Sequence, residues 1–326
     1  MFSDHTFSIA PMLDWTDRHE RHFLRLITRN AFLYTEMVTT GALLHGDVER
    51  FLYYSDEEHP LALQLGGSDP NDLAVSAKLG QKYGYDEINL NVGCPSERVK
   101  SGSFGACLMA EPALVADCVS AMKSAIDIPV TVKHRIGIDD HDSWDELCKF
   151  VEVVSTAGCQ LFIVHARKAW LQGLSPKQNR EIPPLKYDVV YDLKKKYPHL
   201  GFILNGGIKS IAESRQHLDF VDGVMMGREA YHNPYVLADV DSQLYGNKTD
   251  VKDRDEIFNK LLPYIEAELI KGTKLHAITR HIMGLFLGAP GAKAWRRYLS
   301  ENANKKGAGL QVVLDAASKI DLKRNK

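Results

Sequence analysis

The first 230 or so residues repeat one pattern eight times: a short apolar run is followed by a segment with helical periodicity. The runs are nearly continuous in hydrophobicity, which is typical of parallel strands that are buried on both faces. Because eight strands alternating with helices is the count of a closed barrel, we predict an α/β fold, a (β/α)8 TIM barrel, with an open doubly wound sheet as the alternative. The runs occupy residues 7–13, 32–38, 61–67, 87–93, 130–135, 161–167, 202–207 and 223–228.

Two of the segments between the runs carry helix signals. Residues 69–84 read DPNDLAVSAKLGQKYG, and residues 111–127 read EPALVADCVSAMKSAID. In the second segment Pro112 fits the first helical position, where the missing N–H is not needed. Apolar residues then repeat every four positions, which indicates a helix with one buried face.

The strand pattern stops near residue 250, and helical patterns replace it. Residues 292–305 and 310–320 predict two helices near the end of the chain. We therefore expect a barrel domain over residues 1–240 and an all-helical domain over residues 250–326. Two further helical faces are formed by Ile257, Leu261, Leu262, Ile265 and Leu269, and by Leu275, Ile278, Ile282, Leu285 and Phe286.

Charge is divided unequally along the chain. Residues 250–326 carry 15 Lys and Arg against 9 Asp and Glu, a net charge of +6. The rest of the chain carries 25 against 33, a net charge of −8. This asymmetry favours an acidic partner for the helical part, and a solvated helical surface is the alternative.

The five cysteines favour neither a disulfide framework nor a structural zinc site, because their number is odd and none forms a C-x-x-C pair. They are Cys94, Cys107, Cys118, Cys148 and Cys159. The first residues lack the basic start and long apolar core of a signal peptide, and no apolar run approaches the length of a membrane span. We expect a reduced, cytoplasmic protein without a metal.

Polar or glycine residues end six consecutive apolar runs, from the third to the eighth. Packing does not explain this series, because burying the charge of a lysine within an apolar strand destabilises the fold unless the charge has a partner. Active sites of TIM barrels lie at the carboxyl ends of the strands, so we predict a functional mouth there. Its residues are Gln64, Asn91, Cys94, Lys133, His165, Asn205, Gly206, Gly207, Gly227 and Arg228.

The residues that end the seventh and eighth apolar runs indicate a phosphate-bearing ligand. Loops after these strands of TIM barrels often bind phosphate, and Gly206 and Gly207 let backbone N–H groups approach an anion while Arg228 adds a charged donor. Uncharged donors with Lys133 suit the polar edge of a flavin, where a lysine stabilises the negative charge of the reduced ring. The chain has no G-x-G-x-x-G motif, which argues against a Rossmann-type nicotinamide site.

A set of motifs in this order resembles the tRNA-dihydrouridine synthases, with the likeness strongest to the A subfamily of the bacterial enzymes. The resemblance extends over the whole chain, including the helical part. The motifs are APMLDWTD (10–17), LQLGG (63–67), INLNVGCP (88–95), KHRIG (133–137), HAR (165–167), SPKQNREIPPL (175–185), NGGI (205–208), GREAY (227–231) and GAPGAKAWRRYLSENA (288–303).

The resemblance implies an FMN-binding catalytic barrel and a helical domain that binds tRNA. The implied reaction reduces D-loop uridines of tRNA, at positions 20 and 20a for the A subfamily, to 5,6-dihydrouridine, with NADPH as the electron donor. We expect a monomer without an obligate protein partner. The family's flavin contacts match Pro11, Met12, Leu13, Gln64, Lys133, His165, Asn205, Gly206, Gly207, Gly227 and Arg228. Its tRNA-contacting positions match Asn91, Lys177, Arg180, Lys293 and Arg296.

Cys94 matches the proton donor of the family. When a hydride adds to C6 of uracil, C5 requires a proton, and a free thiol with a pKa near ~8.5 is mostly protonated at neutral pH. The Ser- and Gly-rich loop 95–106 is predicted to be a lid that brings this thiol over the base. The uridine must leave its stack to reach the site.

Three other functions are compatible with parts of the sequence. A flavin-dependent reductase or dehydrogenase of a free small molecule such as a pyrimidine would use the same barrel, but it would not need the basic helical part. A Schiff-base aldolase would use Lys133 and no flavin. A non-catalytic RNA-binding protein would leave the polar strand ends without a function.

Overall fold

A computed structural model gives the fold of the chain, and it describes residues 3–96, 104–246 and 251–320. All eight predicted runs contain a β-strand, as the sequence pattern indicated. The strands are β1 (Phe7–Ile9), β2 (Leu33–Tyr34), β3 (Val38–Thr39), β4 (Leu61–Gly66), β5 (Glu87–Val92), β6 (Val130–Arg135), β7 (Leu161–His165), β8 (Gly201–Asn205) and β9 (Gly223–Met226).

The strands form one parallel sheet that is nearly closed. Neighbouring strands pair in the order β1-β9-β8-β7-β6-β5-β4-β2. An isolated parallel bridge between Ser8 and Phe32 joins the two ends of this order, and the N–H of Ile9 donates to the Phe32 carbonyl at 2.9 Å. The prediction of a TIM barrel is therefore confirmed, and the open doubly wound sheet is excluded.

The first two predicted strands are much shorter than their apolar runs. The first strand ends at Ile9, because Pro11 has no N–H to donate and Asp14 adopts a left-handed backbone with φ 63°. The second run is divided into β2 and β3, which both pair with β4. These interruptions place irregular backbone at the carboxyl ends of the first two barrel strands.

The helices within the described ranges follow the strands in the alternation expected of this fold, and none of them is both long and apolar enough to cross a membrane. The helices are α1 (Arg18–Ile27), α2 (Thr40–His45), α3 (Val48–Leu52), α4 (Pro70–Tyr83), α5 (Pro112–Ala125), α6 (Trp144–Thr156), α7 (Tyr187–Lys196), α8 (Ile211–Leu218), α9 (Arg228–His232), α10 (Val240–Leu244), α11 (Arg254–Ile270), α12 (Leu275–Thr279), α13 (Ala292–Asn302) and α14 (Leu310–Ala317).

The helix signals in the sequence are confirmed at α4 and α5. Asp69 caps α4 by accepting the N–H groups of Asn71 and Asp72 at 2.8 and 3.0 Å. Proline occupies the start of both helices, where its fixed φ fits and its missing N–H is not needed. The helix α4 packs against β4 and β5, and α5 packs against β6, and these strands lead to the site described below.

Large apolar side chains fill part of the barrel interior. They form a cluster of buried residues to which five strands contribute, and Met12 packs against it from above β1. Such packing makes the barrel a filled core rather than a pore. The cluster consists of Ala10, Phe32, Tyr34, Ala62, Leu161, Ile163, Ile203 and Met225.

The chain divides into two compact units. The first consists of the residues up to Asp14 together with Ala31–Gly227, and it contains the whole barrel. The second consists of Trp15–Asn30 together with the residues from Arg228 onward, so it combines α1 with α9–α14. The division of function between residues 1–240 and 250–326 stays a prediction.

The predicted helical face over residues 275–286 is only partly helical. All five apolar residues of that face are buried, but α12 ends at Thr279, and the chain continues in turns. There the N–H groups of Ile282 and Leu285 donate to carbonyls three residues earlier. Gly284 accounts for the change, because its backbone packs so closely on the His232 carbonyl that a Cβ would lie 2.4 Å from the oxygen.

Candidate active site

The strand register brings the predicted mouth residues of the barrel to one rim. Gln64 pairs with Asn89, and Asn91 pairs with Lys133 on the next strand. His165 pairs with Asn205 in the same way. The sequence therefore predicted correctly that these polar side chains end neighbouring strands.

Gln64 and Asn91 form a buried amide pair between β4 and β5. Asn91 Nδ2 donates to Gln64 Oε1 at 2.8 Å, and Gln64 Nε2 donates to Asn89 Oδ1 at 2.7 Å. Gln64 is 1% exposed and Asn91 is 9% exposed. Since both side chains already have internal partners, their orientation is fixed before any ligand binds.

Cys94 lies on a turn that Asn91 holds. Asn91 Oδ1 accepts the backbone N–H groups of Gly93 and Cys94, each at 3.0 Å, and the Cys94 carbonyl accepts the N–H of Ala106 at 2.9 Å. The thiol is partly exposed and contacts Ser96 Oγ at 3.6 Å. Of the predicted lid over residues 95–106, the part from 97 to 103 lies outside the described residues.

Lys133 has no carboxylate partner among the described residues. Burial and, to a smaller extent, the charge of Arg135 lower its pKa from 10.5 to about 7, although the negative form of the Cys94 thiol opposes this effect. Within the described parts of the chain, no hydrogen bond or ion pair joins Lys133 to another residue. An ammonium group held in this way is suited to an anionic or electron-rich ligand atom.

His165 is neutral at physiological pH. Burial lowers its pKa well below 6.5, and the positive charges of Arg135 and Lys133 add to the effect. The ring is 9% exposed at the end of β7. A neutral imidazole presents one donor and one acceptor, so it can orient a polar ligand without adding charge.

The sequence analysis did not include Arg135 among the site residues. Its Nε donates to the Gly93 carbonyl at 2.9 Å, and its Nη1 donates to the carbonyls of Lys168 and Asn179 at 3.1 and 3.2 Å. Burial lowers its pKa to about 10. Arg135 thus ties the turn before Cys94 to the loop after β7, and the signal was a second cation within the strand KHR.

Gly206 and Gly207 follow β8 with φ values of 117° and 79°, a region that favours glycine. A Cβ at Gly206 would lie 2.7 Å from the His165 ring, and a Cβ at Gly207 would lie 2.6 Å from Leu185. Asn205 Nδ2 donates to the Met225 carbonyl at 2.8 Å. Gly206 is buried and Gly207 is exposed at this turn, which the sequence predicts to bind phosphate.

The neighbouring turn after β9 has room for a ligand. A Cβ at Gly227 would meet only Ala10 at 3.7 Å and Met12 at 4.0 Å, which are ordinary contacts. Pro11 and Met12 are partly buried, whereas Leu13 is 59% exposed. Arg228 is the next residue after Gly227 and begins α9.

Four of the five proposed tRNA-contacting residues lie on surfaces of the two units, and the fifth, Asn91, is buried. Lys177 and Arg180 are exposed, and they flank Asn179, which is buried and was not predicted. Asn179 fixes their loop, because its Oδ1 accepts the Trp170 N–H at 2.8 Å and its Nδ2 donates to the Trp170 carbonyl at 2.9 Å.

In the second unit α13 presents Lys293 as an exposed residue and Arg296 as a partly buried one. Trp295 is fully buried on the opposite side of this helix, as predicted. Tyr298 was predicted to pack inward as well, but it is only partly buried because its hydroxyl donates to Asp315 at 3.1 Å. The helix therefore buries one aromatic ring and leaves a basic face exposed.

The first unit therefore brings together a held thiol, an unpaired lysine, a neutral histidine and a glycine turn. No cluster of three potential metal ligands occurs among the described residues, and all five cysteines are free. Such a set can orient an anionic, ring-shaped ligand and can deliver a proton from a thiol.

Comparison with known proteins identifies relatives of the whole chain. A family model described as dihydrouridine synthase (Dus) matches residues 8–322. A tRNA-dihydrouridine(20/20a) synthase from Vibrio parahaemolyticus is 62% identical over 98% of each chain. Proteins of the same name from Shewanella oneidensis and Escherichia coli K12 are 64% and 61% identical, over 95% and 98% of this chain and 92% of each relative.

A solved structure supports the fold independently. The complex of 2-naphthoyl-CoA reductase with 2-naphthoyl-CoA superposes with a TM-score of 0.56 over 76% of this chain and 51% of that chain. Since the sequence identity is 10%, the similarity shows a shared barrel architecture and nothing about substrates.

Proposed function

The chain belongs to the dihydrouridine synthase family, and we propose that it reduces uridines 20 and 20a of tRNA to 5,6-dihydrouridine, with FMN as cofactor and NADPH as electron donor. The observation that carries this proposal is the position of Cys94 at the barrel mouth, on a turn held by Asn91, the strand partner of Lys133. A thiol beside an unpaired cation suits a reaction that adds a hydride and a proton to a ring.

The residues at the mouth fit a flavin. Lys133 lacks a partner for its charge, and a flavin offers the N1–C2=O edge, which becomes negative on reduction. Gly206 and Gly207 have the left-handed backbone that a phosphate turn requires. A Cβ at Gly227 would make only ordinary contacts, with Ala10 at 3.7 Å and Met12 at 4.0 Å. In the proposed arrangement Lys133 would meet the negative edge of the reduced ring at one end of the site. The glycine turns would meet the phosphate at the other end.

Each end of the cofactor would contact a different set of residues. Gln64, Lys133 and His165 would hold the ring, and Asn205 with the glycine turns and Arg228 would hold the phosphate. When bound, FMN supplies the hydride that reduces the uracil ring. The full proposed set is Pro11, Met12, Leu13, Gln64, Lys133, His165, Asn205, Gly206, Gly207, Gly227 and Arg228.

Three residues of this chain would then carry out distinct tasks. Cys94 Sγ would donate the proton that C5 of the uracil receives. Asn91 and Arg135 would hold the turn of Cys94, through its N–H and through the Gly93 carbonyl. A fixed turn places the backbone of the proton donor, so that only rotation of the thiol remains to be ordered in the transition state.

The substrate tRNA would contact basic residues of both units. We propose that Lys177 and Arg180 beside the barrel mouth and Lys293 and Arg296 on α13 neutralise its phosphates, and that residues 250–326 form the tRNA-binding domain. The net charge of +6 over these residues supports this assignment. Asn91 was also matched to a tRNA contact, although its amide is already bonded to Gln64 and to the turn of Cys94.

The decisive experiment incubates the purified holoenzyme with NADPH and unmodified tRNA transcript and maps dihydrouridine at each position. We expect it at positions 20 and 20a, with no reduction of free uracil or uridine. A yellow protein that reduces free pyrimidine but not tRNA would replace this proposal with the small-molecule reductase. A colourless protein that still forms dihydrouridine would remove FMN from it.

A further inference from the structure

A continuous chain of hydrogen bonds runs inside the barrel from Glu87 at the amino end of β5 to the turn of Cys94. Thr131 Oγ1 donates to Glu87 Oε1 at 2.6 Å, and Asn89 Nδ2 donates to Thr131 Oγ1 at 2.8 Å. Gln64 Nε2 then donates to Asn89 Oδ1 at 2.7 Å. Through Gln64 the chain reaches Asn91 and the backbone of Cys94, as described above.

In every hydrogen bond of this series the donor lies on the side away from Glu87. The groups at both ends of the series require that direction. An ionised carboxylate can only accept, so the Thr131 hydroxyl must donate to Glu87 and must accept from Asn89. At the other end the backbone N–H of Cys94 can only donate, so it requires the oxygen of Asn91. The two constraints agree on the same orientation for all three side-chain amides.

Burial makes these orientations costly to reverse. Glu87 is 1% exposed, Asn89 0%, Thr131 2% and Gln64 1%. Water therefore has little access to a group that loses its partner, and a reversed amide would place two donors or two acceptors against each other. The series of hydrogen bonds therefore has one arrangement of its amides in which every donor meets an acceptor.

Glu87 is itself fixed from two other directions. Its Oε2 bonds to His5 Nε2 at 2.8 Å, and its Oε1 accepts the Tyr34 hydroxyl at 3.0 Å. Burial and Glu87 hold the pKa of Tyr34 well above 10, so this hydroxyl remains a donor. His5 stacks on Phe32 with ring centroids 4.1 Å apart.

We propose that Glu87 is a positioning residue, which acts through Thr131 and Asn89 to set the amide orientation of Gln64 and the turn that carries Cys94. The catalytic consequence rests on the proposed function, since it assumes that Gln64 meets the cofactor and that Cys94 donates a proton. The structural consequence does not, because the chain fixes the Cys94 turn whatever the ligand is.

Thr131→Val tests the middle link in the holoenzyme, because valine matches the shape of threonine and removes both the donor and the acceptor. Thr131→Ser keeps both and is the matched control. Thr131→Ala removes the same hydroxyl without a branched side chain and serves if the valine variant does not fold. Thermal unfolding of each variant shows whether the fold is retained.

The first readout is the rate at which iodoacetamide alkylates Cys94, followed by peptide mass spectrometry. Loss of Thr131 Oγ1 should loosen the turn and raise this rate roughly fivefold, the change expected for the loss of one net hydrogen bond. The serine variant should match the wild type. Cys107 is also partly exposed but lies outside the hydrogen-bonded chain, so its rate should stay constant. An unchanged Cys94 rate in folded Thr131→Val would overturn the proposal.

The second readout separates the two half-reactions by rapid mixing. Reduction of the bound flavin by NADPH should stay within about threefold of the wild type, whereas its reoxidation by tRNA should slow roughly 10- to 100-fold through misplacement of the proton donor. Equal slowing of both steps would show a general structural defect instead. If the wild type forms no dihydrouridine, the proposed function fails, but the alkylation contrast still tests the hydrogen-bonded chain.

The variant Glu87→Gln shows whether Glu87 acts by accepting hydrogen bonds in a fixed direction or through its negative charge. A glutamine can keep its oxygen toward Thr131 and Tyr34 and turn its amide nitrogen toward His5, whose Nε2 is an acceptor in one tautomer of the imidazole. We therefore expect the rates of Cys94 alkylation and of both half-reactions in Glu87→Gln to lie within about twofold of the wild type. A change of this size is smaller than the effect of losing one net hydrogen bond. A loss as large as that of Thr131→Val would show that Glu87 acts through its charge and would overturn the directional role.

Discussion

Asn91 Oδ1 accepts the backbone N–H of Cys94 at 3.0 Å, while the Cys94 thiol forms one hydrogen bond within the described residues, a weak one to Ser96 Oγ at 3.6 Å. The backbone of the proposed proton donor is thus held firmly and its side chain is held weakly. A thiol in this situation can rotate between the solvent and the barrel mouth without movement of the strand behind it.

Cys94→Ala should retain FMN and its reduction by NADPH, because the thiol does not contribute to the phosphate turn. Dihydrouridine formation should fall by roughly 10²–10⁴, the usual contribution of a general acid. Single-turnover reoxidation of the reduced enzyme by tRNA measures this step directly. Cys148→Ala is the matched control, since Cys148 is buried on α6. Near-normal turnover of Cys94→Ala would remove the thiol from the mechanism.

Lys133→Met should weaken the interaction of the protein with the reduced flavin. It should also stabilise the folded protein, because it removes a buried amine that has no partner among the described residues. A hydrogen bond to a charged group contributes about 1.5–3 kcal/mol, so the two-electron potential of the bound flavin should fall by roughly 30–65 mV. Spectroscopic titration against reference dyes measures this change. A potential equal to that of the wild type would place the flavin ring away from Lys133.

The same substitution should alter the pH dependence of stability in the cofactor-free protein. Burial lowers the pKa of Lys133 from 10.5 to about 7, so between these values the unfolded chain binds a proton that the folded chain does not. Stability from this group therefore rises with pH above 7 and is constant below it. Urea unfolding at pH 6.5 and 9 should show that rise in the wild type and lack it in Lys133→Met.

Gly207→Val and Gly227→Ala should separate folding from cofactor binding. A Cβ at Gly207 would lie 2.6 Å from Leu185 and 2.7 Å from the Tyr187 hydroxyl, at a φ of 79°. This variant should lose both stability and FMN. A Cβ at Gly227 meets nothing closer than 3.7 Å, so Gly227→Ala should fold normally and bind FMN more weakly. Fluorescence titration with FMN and thermal unfolding measure the two effects. Full FMN binding by Gly227→Ala would place the phosphate elsewhere.

The sequence predicted the barrel and most of its polar rim because both follow from local patterns. Buried parallel strands read as continuous apolar runs, and the polar residues that end them stand out. Asn179 was missed because an asparagine that bonds to Trp170, nine residues earlier, has no distinct sequence pattern. Arg135 was missed because its role depends on carbonyls 33 to 44 residues away in the chain. The chain through Glu87 and Thr131 was missed for the same reason, since only the strand register reveals which side chains meet inside a barrel.

Lys293→Ala combined with Arg296→Ala should weaken tRNA binding in a salt-dependent way. Each lost phosphate contact reduces counterion release, so the slope of log K against log [salt] should flatten by roughly 1–2 units. FMN content and flavin reduction by NADPH should stay unchanged, because the proposed flavin site lies in the barrel. Binding is measured by fluorescence anisotropy of labelled tRNA at several salt concentrations.

The matched control replaces Lys78 and Lys82 with Ala, which removes the same charge from the exposed face of α4. These lysines are four residues apart and belong to a helix that packs on the barrel, so their loss should leave the slope within error of the wild type. If both double variants flatten the slope equally, tRNA responds to net charge alone. If neither does, α13 does not carry the contact, and the positive charge of residues 250–326 belongs to a solvated surface.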